Sequence, residues 1–320
     1  MLETSKLEFI SESQIKSLIS FKDAVEVTKK AFVDYFLGKN KMPKKVYLDL
    51  PEYDGDFRAM PAYNSHYNIA GVKWVNSHSL NSKFNLPSVR AMMIVNDPQT
   101  ATPLAIIEAS EITNLRTGAS GALAVDYLTK KEALDIACVG AGRQAYYQLM
   151  CINEIRKIRS IVIIDLNMKT ALALAKELNS KLENNVTINV KEKIKHNLNK
   201  SNVIICTTPS KQPLIFDEDI SKGVLINAIG ADAPGKQELD HSLIKNSLIV
   251  VDDYAQAMHS GEINTAFSAG ILNQKSIYSC MGELIYNNNF NKFNTTKVFD
   301  STGLSIQDLA LAGFVLNKNL

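Results

Sequence analysis

Four cysteines and five histidines are few for 320 residues, and neither set clusters. Cys138, Cys151, Cys206 and Cys280 include no pair at metal-ligand spacing. His66, His78, His196, His241 and His259 form no H-x-x-x-H or similar group, so no protein-held metal is expected. Two of the cysteines sit inside apolar, strand-like runs, and all four read as buried thiols. No apolar run reaches membrane-spanning length, and Met1-Leu2-Glu3-Thr4-Ser5-Lys6 lacks a basic region followed by an apolar one. These absences point to a cytoplasmic protein without a membrane partner. Nor does one sign of charge dominate: Lys and Arg total 35 against 33 for Asp and Glu, too even for a nucleic-acid footprint. No internal repeat of solenoid period is visible, and the Asn-rich stretch 287–291 reads as an exposed loop.

What is present is a globular composition, 46% hydrophobic and 21% charged, at a length that exceeds one comfortable core and suggests two lobes. Ala24, Val27, Ala31 and Tyr35 recur at helical spacing with Gly38 beyond them as a C-terminal signal, which predicts a first helix. Short β-like pieces follow at Lys45–Leu50, Asp56–Met60, Ile69–Asn76, Arg90–Asn96 and Pro103–Glu108, with Pro51, Gly55, Pro61 and Pro87 as separators. An Ala-rich helix is expected over Ser110–Leu128. From Leu134 the rhythm becomes βαβ, with six strand-length runs at Leu134–Val139, Ile161–Ile164, Val186–Val190, Val203–Cys206, Leu225–Ile229 and Leu248–Val251. Six is the number a complete dinucleotide-binding sheet requires. A last helix is expected over Leu304–Leu316. The fold class is therefore α/β: a Rossmann domain over 119–298, plus a mixed α+β substrate and dimerisation domain over 1–118 and 299–320.

Gly140-Ala141-Gly142-Arg143-Gln144-Ala145 follows the first of the six runs and opens a helix. The first glycine makes the turn, the second admits the pyrophosphate to the backbone, and the third small residue lets helix pack on strand. The helix amides then face the anion. Asp165 ends the next run, where a carboxylate accepts ribose hydroxyls and disfavours a 2′-phosphate. NAD is expected, with Arg143 and Lys169 leaving NADP open; the competing reading of Asp165 is a helix cap. Thr207, Thr208 and Pro209 follow the fourth run, and Ile229, Gly230 and Asp232 the fifth, at the carboxyl edge where such sheets line their ligand crevice. Asp232 is an acid/base or amine-binding candidate there, against the alternative of a turn-forming aspartate.

In the first lobe, strand alternation sets Lys73 with Gly71 and Val75 on one face and Val72 and Trp74 on the other. By pattern alone Lys73 reads as a solvated lysine. Arg58 and Arg116 also interrupt apolar stretches, and arginine's planar fork matches a carboxylate.

The segments Gly55–Pro61, Gly71–His78, Leu115–Ala119, Asn227–Lys236 and Phe299–Leu304 together resemble the ornithine cyclodeaminase and μ-crystallin family, and within it the archaeal-type alanine dehydrogenases. The resemblance runs from the Arg58 segment to Asp308. It implies a homodimer whose first lobes join their sheets, with the active site between each lobe and its own dinucleotide domain. It further implies that Lys73 and Arg116 hold a substrate carboxylate, that Lys45 stands where cyclodeaminases have an arginine of that duty, and that Asp232 addresses the substrate amine. Asp300-Ser301-Thr302-Gly303 would lie near the nicotinamide, so Arg116, Thr117, Ser301 and Gly303 join the expected cofactor contacts. Lys73 and Asp232 are the expected catalytic pair. Cyclodeaminases carry a glutamate where Arg58 stands, and a cation there suits a second substrate amine poorly. The expected activity is NAD-dependent oxidative deamination of L-alanine, or reductive amination of pyruvate. The alternatives are ornithine cyclodeamination, reduction of a cyclic ketimine such as pyrroline- or piperideine-2-carboxylate, and a non-catalytic, NADPH-binding μ-crystallin-like protein.

Overall fold

A computed structural model describes residues 7–183 and 185–319. The chain divides into two compact units: Met1–Arg116 with Leu304–Leu320, and Thr117–Gly303. The sequence reading had put the joints at 118/119 and 298/299.

Unit 1 begins with a short strand, β1 (Glu8–Ile10), and two helices, α1 (Glu12–Leu18) and α2 (Phe21–Phe36). Both helices start at a serine whose hydroxyl accepts the N–H three residues on, Ser11 from Gln14 and Ser20 from Asp23, with the partner side chain reaching back. Gly38 follows α2 at φ +72°, as its place beyond the helical repeat implied. Five strands come next: β2 (Val46–Leu50), β3 (Gly55–Asn64), β4 (Ile69–His78), β5 (Val89–Asn96) and β6 (Pro103–Glu108). With β1 they form one sheet, ordered β1-β6-β5-β4-β3-β2, antiparallel except for the β1–β6 pair. Pro61, expected to end a strand, lies inside β3. Strand β2 pairs only as far as Ala59, so the missing N–H of Pro61 costs no ladder bond on that side.

Helix α3 (Ser110–Leu128) has the bounds the sequence implied and carries the joint at Arg116/Thr117. Beyond it, unit 2 contains β7 (Ala133–Val139), α4 (Arg143–Ile155), β8 (Lys157–Ile164), α5 (Met168–Asn179), β9 (Thr187–Lys191), β10 (Val203–Cys206), β11 (Lys211–Ile215) and β12 (Leu225–Ala228). It continues with β13 (Gln237–Leu239), α6 (His241–Lys245), β14 (Leu248–Val251), α7 (Tyr254–Ser260), α8 (Asn264–Ser268), β15 (Ile277–Cys280), α9 (Met281–Asn287) and β16 (Lys297–Asp300). The main sheet has eight strands, all pairs parallel, in the order β15-β14-β16-β12-β10-β7-β8-β9. Strands β10 and β12 are buried along their whole length, which is why they read as unbroken apolar runs rather than alternating ones. The six expected strands are all present, and β16 inserts between β12 and β14 where none was foreseen. A separate parallel pair joins β11 and β13.

Helix α10 (Ser305–Asn319) returns to unit 1 and packs on α2, β3 and β4. Among the described residues, no helix is long and apolar enough to cross a membrane, and no group of His, Cys, Asp and Glu could hold a metal. Cys138, Cys151 and Cys206 are buried, whereas Cys280, expected buried, is partly exposed at the end of β15.

Candidate active site

In unit 1 the strand register builds a row across the inner sheet face: Met60, Lys73, Met93 and Ile107 are successive partners on β3, β4, β5 and β6. Three of the four are apolar and at most 4% exposed, and Lys73 among them is 0% exposed. An unpaired ammonium there would cost several kcal/mol. Asp308 on α10, also 0% exposed, meets it: its Oδ2 lies 2.6 Å from Lys73 Nζ, and its Oδ1 accepts from Arg116 Nε on α3 at 3.1 Å. Lys73 also donates to Thr113 Oγ1 at 3.3 Å. Asp308 and Thr113 are thus the polar groups met by its ammonium among the described residues. Burial brings the Lys73 amine down to about 7; Asp308 opposes that shift, while the charges of Arg116 and Lys45 add to it. The solvated reading of Lys73 is thus overturned, because β4 turns that face toward α10.

The same face holds Arg58, 6% exposed. Its Nε and Nη2 donate to the two oxygens of Asp56 at 2.9 and 2.8 Å, and its guanidinium lies 5.5 Å from the ring centre of Tyr47, its partner across β2. Lys45, just before β2, is half-buried. Asp308 and Asp56 are the residues that sequence reasoning missed here. Each is a single acid in a helix or strand pattern, which by itself looks like a solvated position.

In unit 2 the turn after β7 has Gly140 at φ +94°, a conformation few side chains adopt, with Thr207 Oγ1 2.9 Å from where a Cβ would stand. Gly142 caps α4 without a side-chain bond to the helix amides, and a Cβ built on it would meet no protein atom within 4 Å. Uncapped amides beside a space that no protein atom fills suit a pyrophosphate. Ala145 is fully buried, as the third small position requires. Asp165, at the end of β8, accepts the Ala141 N–H at 2.7 Å and the Asn167 N–H at 2.8 Å. The cap of α5 is Asn167 rather than Asp165. Asp165 therefore ties the glycine turn to the second strand, and a carboxylate at that point fits ribose hydroxyls and repels a 2′-phosphate. Arg143 lies over the rings of Tyr146 and Tyr147, at 5.9 and 5.5 Å. Gln144 is half-buried in the first turn of α4, and the Thr117 carbonyl accepts from Gln148 at 2.8 Å.

At the carboxyl edge of the sheet, Thr207 donates to the carbonyls of Val139 and Gly140, and Pro209 is exposed. Ile229 and Gly230 donate their N–H groups to Cys206 O. Asp232 is half-buried and pairs with Lys236 at 2.6 Å. Ser301, Thr302 and Gly303 are held by Asp252, whose Oδ2 accepts the N–H groups of Thr302 and Gly303, both at 2.7 Å. Asp300 itself is turned to other work: its carboxylate accepts the N–H groups of Glu262 and Ile263. The residues placed on the loops of this unit thus gather at the ends of β7, β8, β10, β12 and β16.

The family model described as the ornithine cyclodeaminase/mu-crystallin family matches residues 6–320. An alanine dehydrogenase of Archaeoglobus fulgidus is 41% identical over 317 residues, 97% of this chain and 96% of that protein. A solved dimer of an archaeal alanine dehydrogenase with bound NAD is 39% identical, with a TM-score of 0.90 over 98% of this chain and 97% of the other. The Δ(1)-pyrroline-2-carboxylate reductase of Thermococcus litoralis, solved with NADH and L-proline, is 30% identical, with a TM-score of 0.93 over the same shares. With the family model matching nearly the whole length, the chain belongs to the ornithine cyclodeaminase/mu-crystallin family.

Proposed function

We propose that this protein is an NAD-dependent amino-acid dehydrogenase that oxidises L-alanine to pyruvate and ammonia or runs the reverse. The observation that carries the reading is the buried Lys73–Asp308–Arg116 array. Asp308 brings a lysine and an arginine side by side, and an α-carboxylate matches that pair of donors. Held by Gly140, Gly142 and Asp165, a bound NAD would supply the hydride acceptor that lets a substrate amine be oxidised to an imine open to hydrolysis. Lys73 and Arg116 orient the carboxylate, and Lys73, with its amine near 7, exchanges a proton at neutral pH. Asp232, tethered by Lys236, is the acid/base candidate of unit 2. Gly140, Gly142 and the first turn of α4 are assigned to the pyrophosphate and Asp165 to the ribose. The relatives with NAD or NADH support NAD over NADP.

Arg58 supports alanine over ornithine, since its cation, fixed to Asp56, offers nothing to a second ammonium. A second reading, reduction of a cyclic imino acid, is favoured by the likeness to the T. litoralis reductase. We also assign a homodimer, built on the outer sheet face of unit 1. Register brings Phe9, Ile106, Ile94, Val72 and Pro61 into one row and Met92, Trp74, Ala59 and Val46 into the next. Phe9, Ile94, Trp74 and Val46 are 42–64% exposed, an apolar area monomers seldom leave to water.

The test is a set of initial rates: NAD reduction with L-alanine, L-ornithine and L-proline, and NADH oxidation with pyruvate plus ammonium or with pyrroline-2-carboxylate. Alanine and pyruvate are expected to lead. Ornithine turned to proline without net NADH would reject the reading, and a cyclic imino acid outrunning pyruvate would establish the second one.

A further inference from the structure

Glu238 lies on β13, outside the main sheet, in a segment buried at every residue. Its side chain is 0% exposed. Oε1 accepts both the N–H and the hydroxyl of Thr208, each at 2.7 Å, and Oε2 accepts the N–H of Gly230 at 2.9 Å. One carboxylate thereby spans the loop after β10 and the loop after β12, two strands that are neighbours in the sheet. The approach is close enough to dictate sequence: a Cβ at Gly230 would stand 2.4 Å from Glu238 Oε2 and 2.2 Å from the Thr208 carbonyl. The glutamate is itself anchored, since its own N–H donates to Glu262 Oε1 at 2.8 Å.

Three donors converge on two oxygens, an arrangement only the ionised acid satisfies in full. Once protonated, the carboxyl turns a hydrogen toward one of those donors and that bond is lost; the Gly230 N–H keeps its second acceptor, Cys206 O, so what weakens is the hold of one loop on the other.

We propose that Glu238 is a positioning residue for the dinucleotide: it clasps the Thr207–Ser210 and Gly230–Asp232 segments into one seat, and its protonation loosens that seat. The inference rests on the reading of unit 2 as the NAD-binding unit. The groups around Glu238 set its balance. Burial raises it, and the bonds from Thr208 and Gly230 and the charge of Lys236 lower it, leaving it at about 7. Glu262, whose Oε1 faces the same backbone, is pushed well above the carboxylate range by burial and by Glu238. The thiols of Cys138 and Cys206 are raised by burial and then by the charge of Glu238, and stay neutral.

NADH affinity measured by fluorescence titration, with no amino or keto acid present, tests this. For the wild-type chain Kd is expected to rise about tenfold from pH 8.5 to pH 6, because a group at about 7 is then mostly protonated and the loosened form binds weakly. Glu238→Gln is expected to bind more weakly at pH 8.5 and to lose the slope. Thr208→Val removes a bond that favours the ionised acid, so the midpoint moves to higher pH, an effect that a merely structural role for Glu238 would not produce. A wild-type Kd flat across this range, a Gln variant with the wild-type slope, or an unmoved midpoint in Thr208→Val overturns the clasp while leaving NAD binding in place. Absence of NADH binding by the wild-type chain at every pH overturns the clasp and the reading beneath it together.

Discussion

Asp308 joins two buried cations, Lys73 and Arg116, and what it does to Lys73 has a sign. Its charge holds the Lys73 amine up against burial and against the repulsion of Arg116 and Lys45. With the amine at about 7, the fraction able to take a proton grows as pH rises through that value, so kcat/KM for alanine oxidation is expected to climb and level off above it. Asp308→Asn removes the supporting charge, and the climb should move to lower pH; an unmoved profile would show that another group titrates. Asp308→Ala, which strands two buried cations, is expected to cost about 3–5 kcal/mol of stability, read from denaturant unfolding. Lys73→Ala should abolish turnover while NADH affinity stays within a factor of two or so, and retained turnover would place the carboxylate elsewhere. Of these residues, Lys73, Arg58 and Arg116 were legible as cations interrupting apolar stretches. Asp308 and Asp56 were not, because an acid that is spent on another side chain leaves the same trace in sequence as one that faces water.

Elements were more legible than residues, and the failures share a cause. Helix α3 and strands β6, β10 and β14 have the bounds their apolar patterns implied. Strand β16 was missed because Lys297 and Asp300 bracket only two apolar residues; Lys297 is buried by folding its ammonium onto the carbonyls of Gly223 and Phe293, and Asp300 by capping backbone N–H groups. Strand β1 is three residues long and half in water, too short for periodicity to register. Most of helix α3 is buried, and small residues on it let α4 approach. A Cβ on Gly118 would stand 2.5 Å from the Tyr147 carbonyl oxygen, a backbone atom that cannot step aside. Gly118→Ala is therefore expected to destabilise by about 1–3 kcal/mol, visible as a Tm lowered by several degrees, despite alanine's better helix propensity. A Tm at or above wild type would mean the two helices shift apart at no cost.

At the scale of the whole molecule, the outer face of the unit 1 sheet leaves Phe9, Ile94, Trp74 and Val46 exposed among the described residues. Ile94 sits in the middle of that face, between Val72 and Ile106. Ile94→Asp should leave the fold intact and convert the proposed dimer to monomer in sedimentation, since a desolvated charge facing its own copy costs several kcal/mol twice over. An unchanged sedimentation coefficient would move the interface to another surface.

The place of α10 in the chain also has a consequence for biosynthesis. The strands bearing Lys73 leave the ribosome before any of unit 2, yet the acid that offsets that lysine is encoded after all of it. During translation the nascent first sheet lacks Asp308 on the face meant for packing, and the sheet of unit 2 likewise waits for β16, the strand that joins β12 to β14. Both sheets are thus completed only when the last stretch of chain is free, β16 entering the middle of one and α10 covering the face of the other, and a ribosome stalled near codon 303 would hold both units open.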